Sequence, residues 1–169
     1  MQPFRVATTQ VNVKNLALAD NIQRHLDLID QAAEAGCLLI LFPELSLTGH
    51  NGSDDIVRLA QRLDGEVVAT LAAKARARSM FASFGMCEAF RGTHYNTQVL
   101  VGPDGVVGIQ RKVHASTDEF FHFRQGYEAV GDAVIEDGAA DDHGAIDVIP
   151  HGVLDGDLAE LAGLVGVAV

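Results

Sequence analysis

The strongest constraint on the fold of this chain is the run from Leu38 to Gly49, whose sequence is LLILFPELSLTG. Five apolar residues in a row, closed by Pro43, predict a strand buried on both faces, because a strand buried on one face would alternate polar and apolar positions. Glu44 stands where that strand ends, and a carboxylate there must either meet a partner charge or face a cleft. Ligands bind at the carboxyl ends of strands in open α/β sheets. Glu44 is therefore the first candidate catalytic residue.

The residues before this run predict a β-α-β unit. Residues 4–11 alternate in the manner of a strand. A helix is predicted to end at Gly36, because apolar residues recur before it at spacings of four, three and four, namely at Ile22, Leu26, Ile29 and Ala33. We expect the two strands to be parallel and joined by a right-handed crossover. His25 is predicted to lie on the exposed face of this helix.

The residues after the run predict two helices, at 56–63 and 66–78, and then a third buried strand from Met80 to Phe90. Glu88 closes this strand in the way that Glu44 closes the second. Residues 95–101 and 106–113 predict a β-hairpin around a Gly-Pro-Asp-Gly turn at 102–105. The hairpin brings Arg111, Lys112 and His114 to its far end, just before an aromatic and charged loop at 118–126.

The composition bounds the class of protein. A chain of 169 residues with 48% hydrophobic residues predicts one globular domain with a real core. The N-terminal residues lack the pattern of a signal peptide and the apolar runs are shorter than a membrane span, so we expect a cytoplasmic protein. The net charge of −11 argues against nucleic acids and anionic membranes as partners. The two cysteines, Cys37 and Cys87, lie in apolar surroundings that favour free thiols over a disulfide.

The acidic charge is concentrated at the C-terminus. All 12 Lys and Arg lie before residue 131, whereas residues 131–169 hold nine acidic residues and no Lys or Arg. In that segment 29 of 39 residues are Gly, Ala, Asp, Val or Glu, whose codons all begin with G. We predict a domain at residues 1–130 and a separate tail at 131–169. One hypothesis is that a GC-rich gene is translated out of frame there, and the other is a genuine acidic tail.

Several separated motifs together resemble the nitrilase, or carbon–nitrogen hydrolase, superfamily. Taken singly, a glutamate at a strand end or a lysine on a hairpin is more often a solvated charge. The motifs occur in the family's order and with family-like spacing over about residues 4–127. They are Phe42-Pro43-Glu44 with Leu45 to Gly49, Tyr95-Asn96-Thr97 leading into Gly102 to Gly105, Arg111 to His114, and Glu119 through Phe123 to Gly126.

This resemblance implies a fold, a reaction and three site residues. The fold is a four-layer α-β-β-α sandwich of the α/β class, of which this chain holds roughly the first half, followed by an aberrant C-terminal tail. The reaction is hydrolysis of nonpeptide amides, carbamoyl groups or nitriles by a Glu-Lys-Cys triad. Glu44 resembles the general base, Lys112 the oxyanion-stabilising cation, and Glu119 a further glutamate that positions substrate and Lys112. The family implies a homodimer and no cofactor, and the histidine spacing predicts no metal site.

The nucleophile of the family is a cysteine that follows a later strand, and no cysteine follows Gly126 in this sequence. Cys37 precedes the Glu44 strand, at the end away from the cleft, and Cys87 is the one conceivable surrogate. We therefore expect no turnover by the chain as written and interpret it as a truncated or frameshifted hydrolase. The alternatives are a non-catalytic pseudoenzyme or ligand-binding or interaction subunit, and a pseudogene product that folds poorly.

Overall fold

The computed structural model describes residues 4–50, 53–117 and 119–127. These contain five strands, three helices and one 3₁₀ turn. The strands are β1 (Val6–Thr8), β2 (Leu39–Leu41), β3 (Phe81–Phe90), β4 (Thr93–Gly102) and β5 (Gly105–Arg111). The helices are α1 (Leu18–Glu34), α2 (Asp55–Arg58) and α3 (Glu66–Ala77), and the 3₁₀ turn is Glu119–Phe121. The segment predicted to be a tail, 131–169, lies outside the described residues.

The strands form one mixed sheet in the order β1-β2-β3-β4-β5. β1, β2 and β3 are parallel neighbours, and β4 and β5 continue the sheet as antiparallel strands. The predicted β-α-β unit and β-hairpin are thus confirmed. The buried run is shorter than expected, because β2 pairs over only three residues before the chain turns at Pro43.

Helices α1 and α3 cover one face of the sheet. Directly paired residues of antiparallel strands share a face, so the pair Phe84 and Val99 marks the face that packs on Ile29 and Leu71 of the helices. The next pair, Gly85 and Gln98, lies on the opposite face. The segment that follows β2 packs on that second face, which becomes the face of the candidate site.

Gly85 allows the chain after β2 to lie directly on the sheet. A β-carbon at Gly85 would stand 2.8 Å from the carbonyl carbon of Glu44, closer than real β-carbon contacts. The Leu47 amide donates to the Gly85 carbonyl at 3.0 Å, which joins the turn to β3. Leu45 has a φ of +49°, a conformation uncommon for a residue with a side chain. The missing side chain of Gly85 therefore sets the height of Glu44 above the sheet.

A β-bulge separates the two ends of the β4–β5 hairpin. Val101 pairs with Val106 near the turn, but Leu100 pairs with Gly108, so Val107 is an extra residue. Bulges of this kind insert one unpaired residue and bend the strand. Beyond the bulge the register is regular and places Arg111 opposite Thr97.

We expect Gly85→Ala to destabilise the fold by more than about 2 kcal/mol, since the added methyl group overpacks a buried turn. Gly92→Ala is the matched control. Gly92 has a φ of +76° and open space around it, so its substitution costs only the backbone strain of about 1 kcal/mol. Urea denaturation followed by circular dichroism measures both losses. Equal losses would contradict the proposed close approach at Gly85.

Candidate active site

Glu44 sits in the turn after β2, at the carboxyl end of the parallel strands, as the sequence predicts. A chain of hydrogen bonds supports the turn from below. The Gly85 amide donates to Ser46 Oγ at 3.2 Å, and Ser46 Oγ lies 2.9 Å from His25 Nε2. His25 Nδ1 lies 2.7 Å from the Asn21 carbonyl, which can only accept, so Nδ1 carries the proton and Ser46 donates to Nε2.

The prediction that His25 is exposed is wrong. Its side chain is 2% exposed and stacks on Phe42, with the ring centroids 4.0 Å apart. Burial lowers the pKa of His25 to about 4, because it outweighs the opposite effect of the hydrogen bond to the Asn21 carbonyl. The ring is therefore neutral at neutral pH. The buried stripe of α1 includes Asn21 and His25, two polar residues that a hydrophobic pattern assigns to solvent.

Lys112 follows β5 directly, and its backbone amide donates to the Asn96 carbonyl at 2.8 Å. Its neighbour Arg111 points to the opposite face, where it makes a bidentate ion pair with Glu88 at 2.7 and 2.8 Å. The Arg111 guanidinium also lies over the rings of Phe90 and Tyr95, at 4.5 and 4.3 Å from their centroids.

The prediction that Glu88 closes β3 as Glu44 closes β2 is wrong. β3 continues to Phe90, and Glu88 is fully buried on the helix-covered face. Its carboxylate is accommodated there by Arg111 and by the Thr97 hydroxyl, which donates at 2.7 Å. Glu88 therefore anchors β5 on the far side of the sheet from the candidate site.

Glu119 begins the 3₁₀ turn and points back to the site. Its Oε2 accepts hydrogen bonds from the Ser116 amide at 2.7 Å and the Ser116 hydroxyl at 2.9 Å. The loop then returns to β5, where the Gly126 amide donates to the Lys112 carbonyl at 2.9 Å. A β-carbon at Gly126 would lie 2.8 Å from Arg111 Cβ, so the close return requires glycine.

The three predicted residues meet in one cluster. The Lys112 ammonium lies 2.8 Å from Glu44 Oε1 and 3.1 Å from Glu119 Oε2. The side chains are 15% exposed for Lys112, 29% for Glu44 and 3% for Glu119, so the cluster is shielded but open on the Glu44 side. The exposed His50 ring adds a contact, with Nε2 at 3.9 Å from Glu119 Oε1.

The electrostatics keep the cluster charged. Burial alone would lower the pKa of Lys112, but the hydrogen bonds to Glu44 and Glu119 outweigh it and the pKa is raised. Burial alone would raise the pKa of Glu119, but the donors from Ser116 and Lys112 outweigh it and lower the pKa to about 2. At neutral pH the cluster thus contains an ammonium beside an ionised Glu119.

Asn96 also belongs to this cluster, although the sequence motifs predicted no role for it. Its Nδ2 donates to Glu119 Oε1 at 3.0 Å and makes a short hydrogen bond to Glu44 Oε1. The sequence feature that could have indicated Asn96 is its amide side chain, which stands within a predicted strand. Ser116 was missed as well, and its role depends on a loop conformation that no local pattern encodes.

The two cysteines and His122 make other contacts. Both cysteines are free, and Cys87 is buried with Leu45, Ile56 and Phe123. Burial, with a smaller contribution from the charge of Glu88, raises the pKa of the Cys87 thiol to about 12, so almost none of it is thiolate at neutral pH. His122 contacts Asp54, with 3.4 Å between Nδ1 and Oδ1.

Within residues 4–50, 53–117 and 119–127, no group of three or more His, Cys, Asp or Glu residues is arranged to hold a metal ion. None of the helices in these ranges combines the length and the apolar character that crossing a membrane requires.

The family assignment follows from comparison with known proteins. Residues 5–148 match the family model described as carbon–nitrogen hydrolase. The chain belongs to the carbon–nitrogen hydrolase family. A nitrilase of Pyrococcus abyssi (strain GE5 / Orsay) is 33% identical over 125 residues, covering 72% of this chain and 48% of the relative. An (R)-stereoselective amidase of Pseudomonas sp is 34% identical over 123 residues, covering 73% and 44%. The chain thus spans about half the length of these relatives.

Solved structures of carbon–nitrogen hydrolases share the fold. A CN-hydrolase superfamily protein from Xanthomonas campestris matches with a TM-score of 0.68 at 21% identity, over 76% of this chain and 48% of that chain. An amidase from Nesterenkonia sp. matches with a TM-score of 0.65 at 22% identity, over 74% and 49%. The predicted α/β fold of the nitrilase type is confirmed, and the match spans about half of each of those chains.

The depressed pKa of Glu119 predicts a pH-dependent stability. A carboxylate with a lowered pKa stabilises the fold fully above its unfolded value of 4.5, and this contribution is lost as the pH falls toward about 2. We expect the melting temperature to fall between pH 5 and pH 3 by at least about 2 °C more in the wild type than in Glu119→Gln. Differential scanning fluorimetry at constant ionic strength measures this difference. Parallel curves would contradict the strong coupling of Glu119 to its donors.

Proposed function

We propose that Glu44, Lys112 and Glu119 are the general base, the oxyanion-stabilising cation and the supporting glutamate of a carbon–nitrogen hydrolase site. The substrate class is a nonpeptide amide, a carbamoyl compound or a nitrile. The observation that carries this proposal is the Lys112 ammonium held between two carboxylates at 2.8 and 3.1 Å, at the carboxyl end of the parallel strands. The relatives described as a nitrilase and an amidase support the reaction class.

For an amide, the chemistry assigns a proton path to Glu44. A thiol adds to the amide carbon while the Glu44 carboxylate takes its proton, and a positioned base contributes about 10²–10⁴-fold. The same proton then goes to the leaving nitrogen as the C–N bond breaks and a thioester forms. Water, deprotonated by Glu44, attacks the thioester, and the carboxylic acid is released as the thiol recovers its proton.

Lys112 stabilises the charge that develops during addition. The tetrahedral intermediate carries negative charge on its oxygen, and one preorganised donor to such an oxygen contributes roughly 3–4 kcal/mol. Lys112 suits this role because its ammonium is fixed by two carboxylates and needs no reorganisation. Glu119 supports it, because its Oε2 is held by the Ser116 amide and hydroxyl while its Oε1 accepts from the Lys112 ammonium at 3.2 Å.

The described cluster supplies the base and the cation but no thiol. No cysteine follows Lys112 within the 169 residues, and Cys87 is a poor nucleophile because its thiol is buried and its pKa is raised to about 12. We therefore propose that these 169 residues bind substrate without turning it over. This feature also favours a second candidate function, a ligand-binding pseudoenzyme or interaction subunit that retains the pocket.

Butyramide is a suitable probe of substrate binding by the 169-residue chain. We expect it to raise the melting temperature. At a hundredfold excess over the dissociation constant, a ligand that binds only the folded state stabilises that state by about 2.7 kcal/mol. Lys112→Met and Glu44→Gln should abolish the rise, measured against each variant's own melting temperature without ligand. Lys74→Met is the matched control, because Lys74 makes a similar ion pair with Asp30 at 2.7 Å on the helix layer.

The outcomes separate the two parts of the proposal. If neither butyramide nor a panel of carbamoyl compounds and nitriles shifts the melting temperature, the assigned site is wrong. An ammonia-release assay on the same samples should give no signal. Ammonia release that is lost in Cys87→Ser would show turnover by this chain and would make Cys87 the nucleophile.

A further inference from the structure

We infer that Asn96 is a positioning residue that aligns the general base with the ammonium. This inference rests on the proposed function of Glu44, Lys112 and Glu119, and it adds a residue that the motif of three leaves out. Asn96 is the one described residue whose hydrogen bonds reach all three of them. Asn96 lies on an interior strand, since β4 pairs with β3 on one side and with β5 on the other, and this pairing holds its backbone rigid.

The polarity of the contacts fixes the orientation of the Asn96 amide. Both carboxylates can only accept when ionised, so the Asn96 nitrogen and not its oxygen must face them. The two protons on Nδ2 match two acceptors, Glu44 Oε1 and Glu119 Oε1. The side chain is 4% exposed, so water does not compete freely for these hydrogen bonds.

The same residue also places Lys112. The Lys112 amide donates to the Asn96 carbonyl, which fixes the backbone from which the ammonium extends. Asn96 therefore sets the height of the cation through its main chain and the positions of both carboxylates through its side chain. This sharing of one residue explains how groups from three separate segments, after β2, after β5 and in the 3₁₀ turn, converge.

The contacts also distinguish the two oxygens of Glu44. Oε1 accepts from Asn96 and from Lys112, whereas Oε2 has no hydrogen-bond partner among the described residues. With Oε1 occupied by two donors, Oε2 is the oxygen that takes the proton of the attacking thiol. Rotation of the carboxylate would break both bonds, so Asn96 and Lys112 together hold the basic oxygen in one direction.

Other groups near the amide do not replace its function. Cys87 lies directly opposite Asn96 on β3 and shares its face, but its buried thiol stays neutral and is a weak donor. His50 stands 3.9 Å from Glu119 on the exposed side of the cluster, too far for a hydrogen bond. The charged or titratable groups that face the Asn96 side chain are therefore Glu44, Glu119, Lys112 and Cys87.

The test is the Glu119 carboxyl titration, followed by ¹³C NMR of the full 169-residue chain. Asn96→Leu keeps a similar volume and removes both donors. We expect the pKa of Glu119 to rise by about one unit above its value of about 2, a tenfold change in proton affinity. The ¹⁵N signal of the Lys112 ammonium should change as well, because its acceptors lose their second donor.

Gln98→Leu is the matched control. Gln98 lies two residues further along β4 on the same face, and its buried amide donates to the Phe42 carbonyl and to Ser83 Oγ, at 3.2 and 3.0 Å. Both substitutions remove a buried amide, so both should lower the melting temperature. Only Asn96→Leu should move the Glu119 titration.

An unchanged Glu119 titration in folded Asn96→Leu, or an equal change in Gln98→Leu, would overturn the inference. If Asn96→Leu does not fold, Asn96→Ser replaces it, since the shorter side chain cannot span both carboxylates, and the same rise is expected. The titration requires neither substrate nor turnover. If butyramide binds and the Glu119 titration is unchanged in Asn96→Leu, only the role of Asn96 is refuted. If butyramide does not bind and the titration moves, only the proposed function is refuted.

Discussion

The candidate site depends on one interaction, the placing of the Lys112 ammonium between the carboxylates of Glu44 and Glu119. Each of these groups would be costly to bury alone, and each becomes acceptable because the other two are present. The local chain geometry serves this arrangement. Gly85 lets the Glu44 turn approach the sheet, and Gly126 lets the loop after Glu119 return to β5. The protein thus uses two glycines on the backbone to bring three charges together.

The sequence predicted the elements whose signals are local. Apolar runs located β2 and β3, helical spacing located α1 and α3, and a Gly-Pro-Asp-Gly turn located the β4–β5 hairpin. The three motif residues were also predicted to converge, from resemblance and from their positions at strand ends. These predictions succeeded because hydrophobic periodicity and turn chemistry act over a few neighbouring residues.

The failures at the level of single side chains concern polar residues whose partners are distant in sequence. His25 was placed in solvent because nothing near it indicates Ser46, 21 residues away. Glu88 was assigned to a strand end because Arg111, its partner across the sheet, is 23 residues away. Asn96 escaped selection for the same reason, since its acceptors come from two other segments. A single sequence reports where a polar group is but not which group it meets.

The bulge at Val107 has a consequence for the chemistry at the other end of the hairpin. Neighbouring residues of a strand point to opposite faces, so a shift of one residue exchanges them. If Val107 were paired in the ladder instead of bulged out, Arg111 would lie opposite Asn96 rather than Thr97, so Arg111 would face the carboxylates and Lys112 would lie on the Glu88 side. The bulging of this residue out of the pairing thus selects a compact ammonium over a planar, forked guanidinium as the cation of the candidate site. The bidentate Arg111–Glu88 pair on the far face then locks that choice.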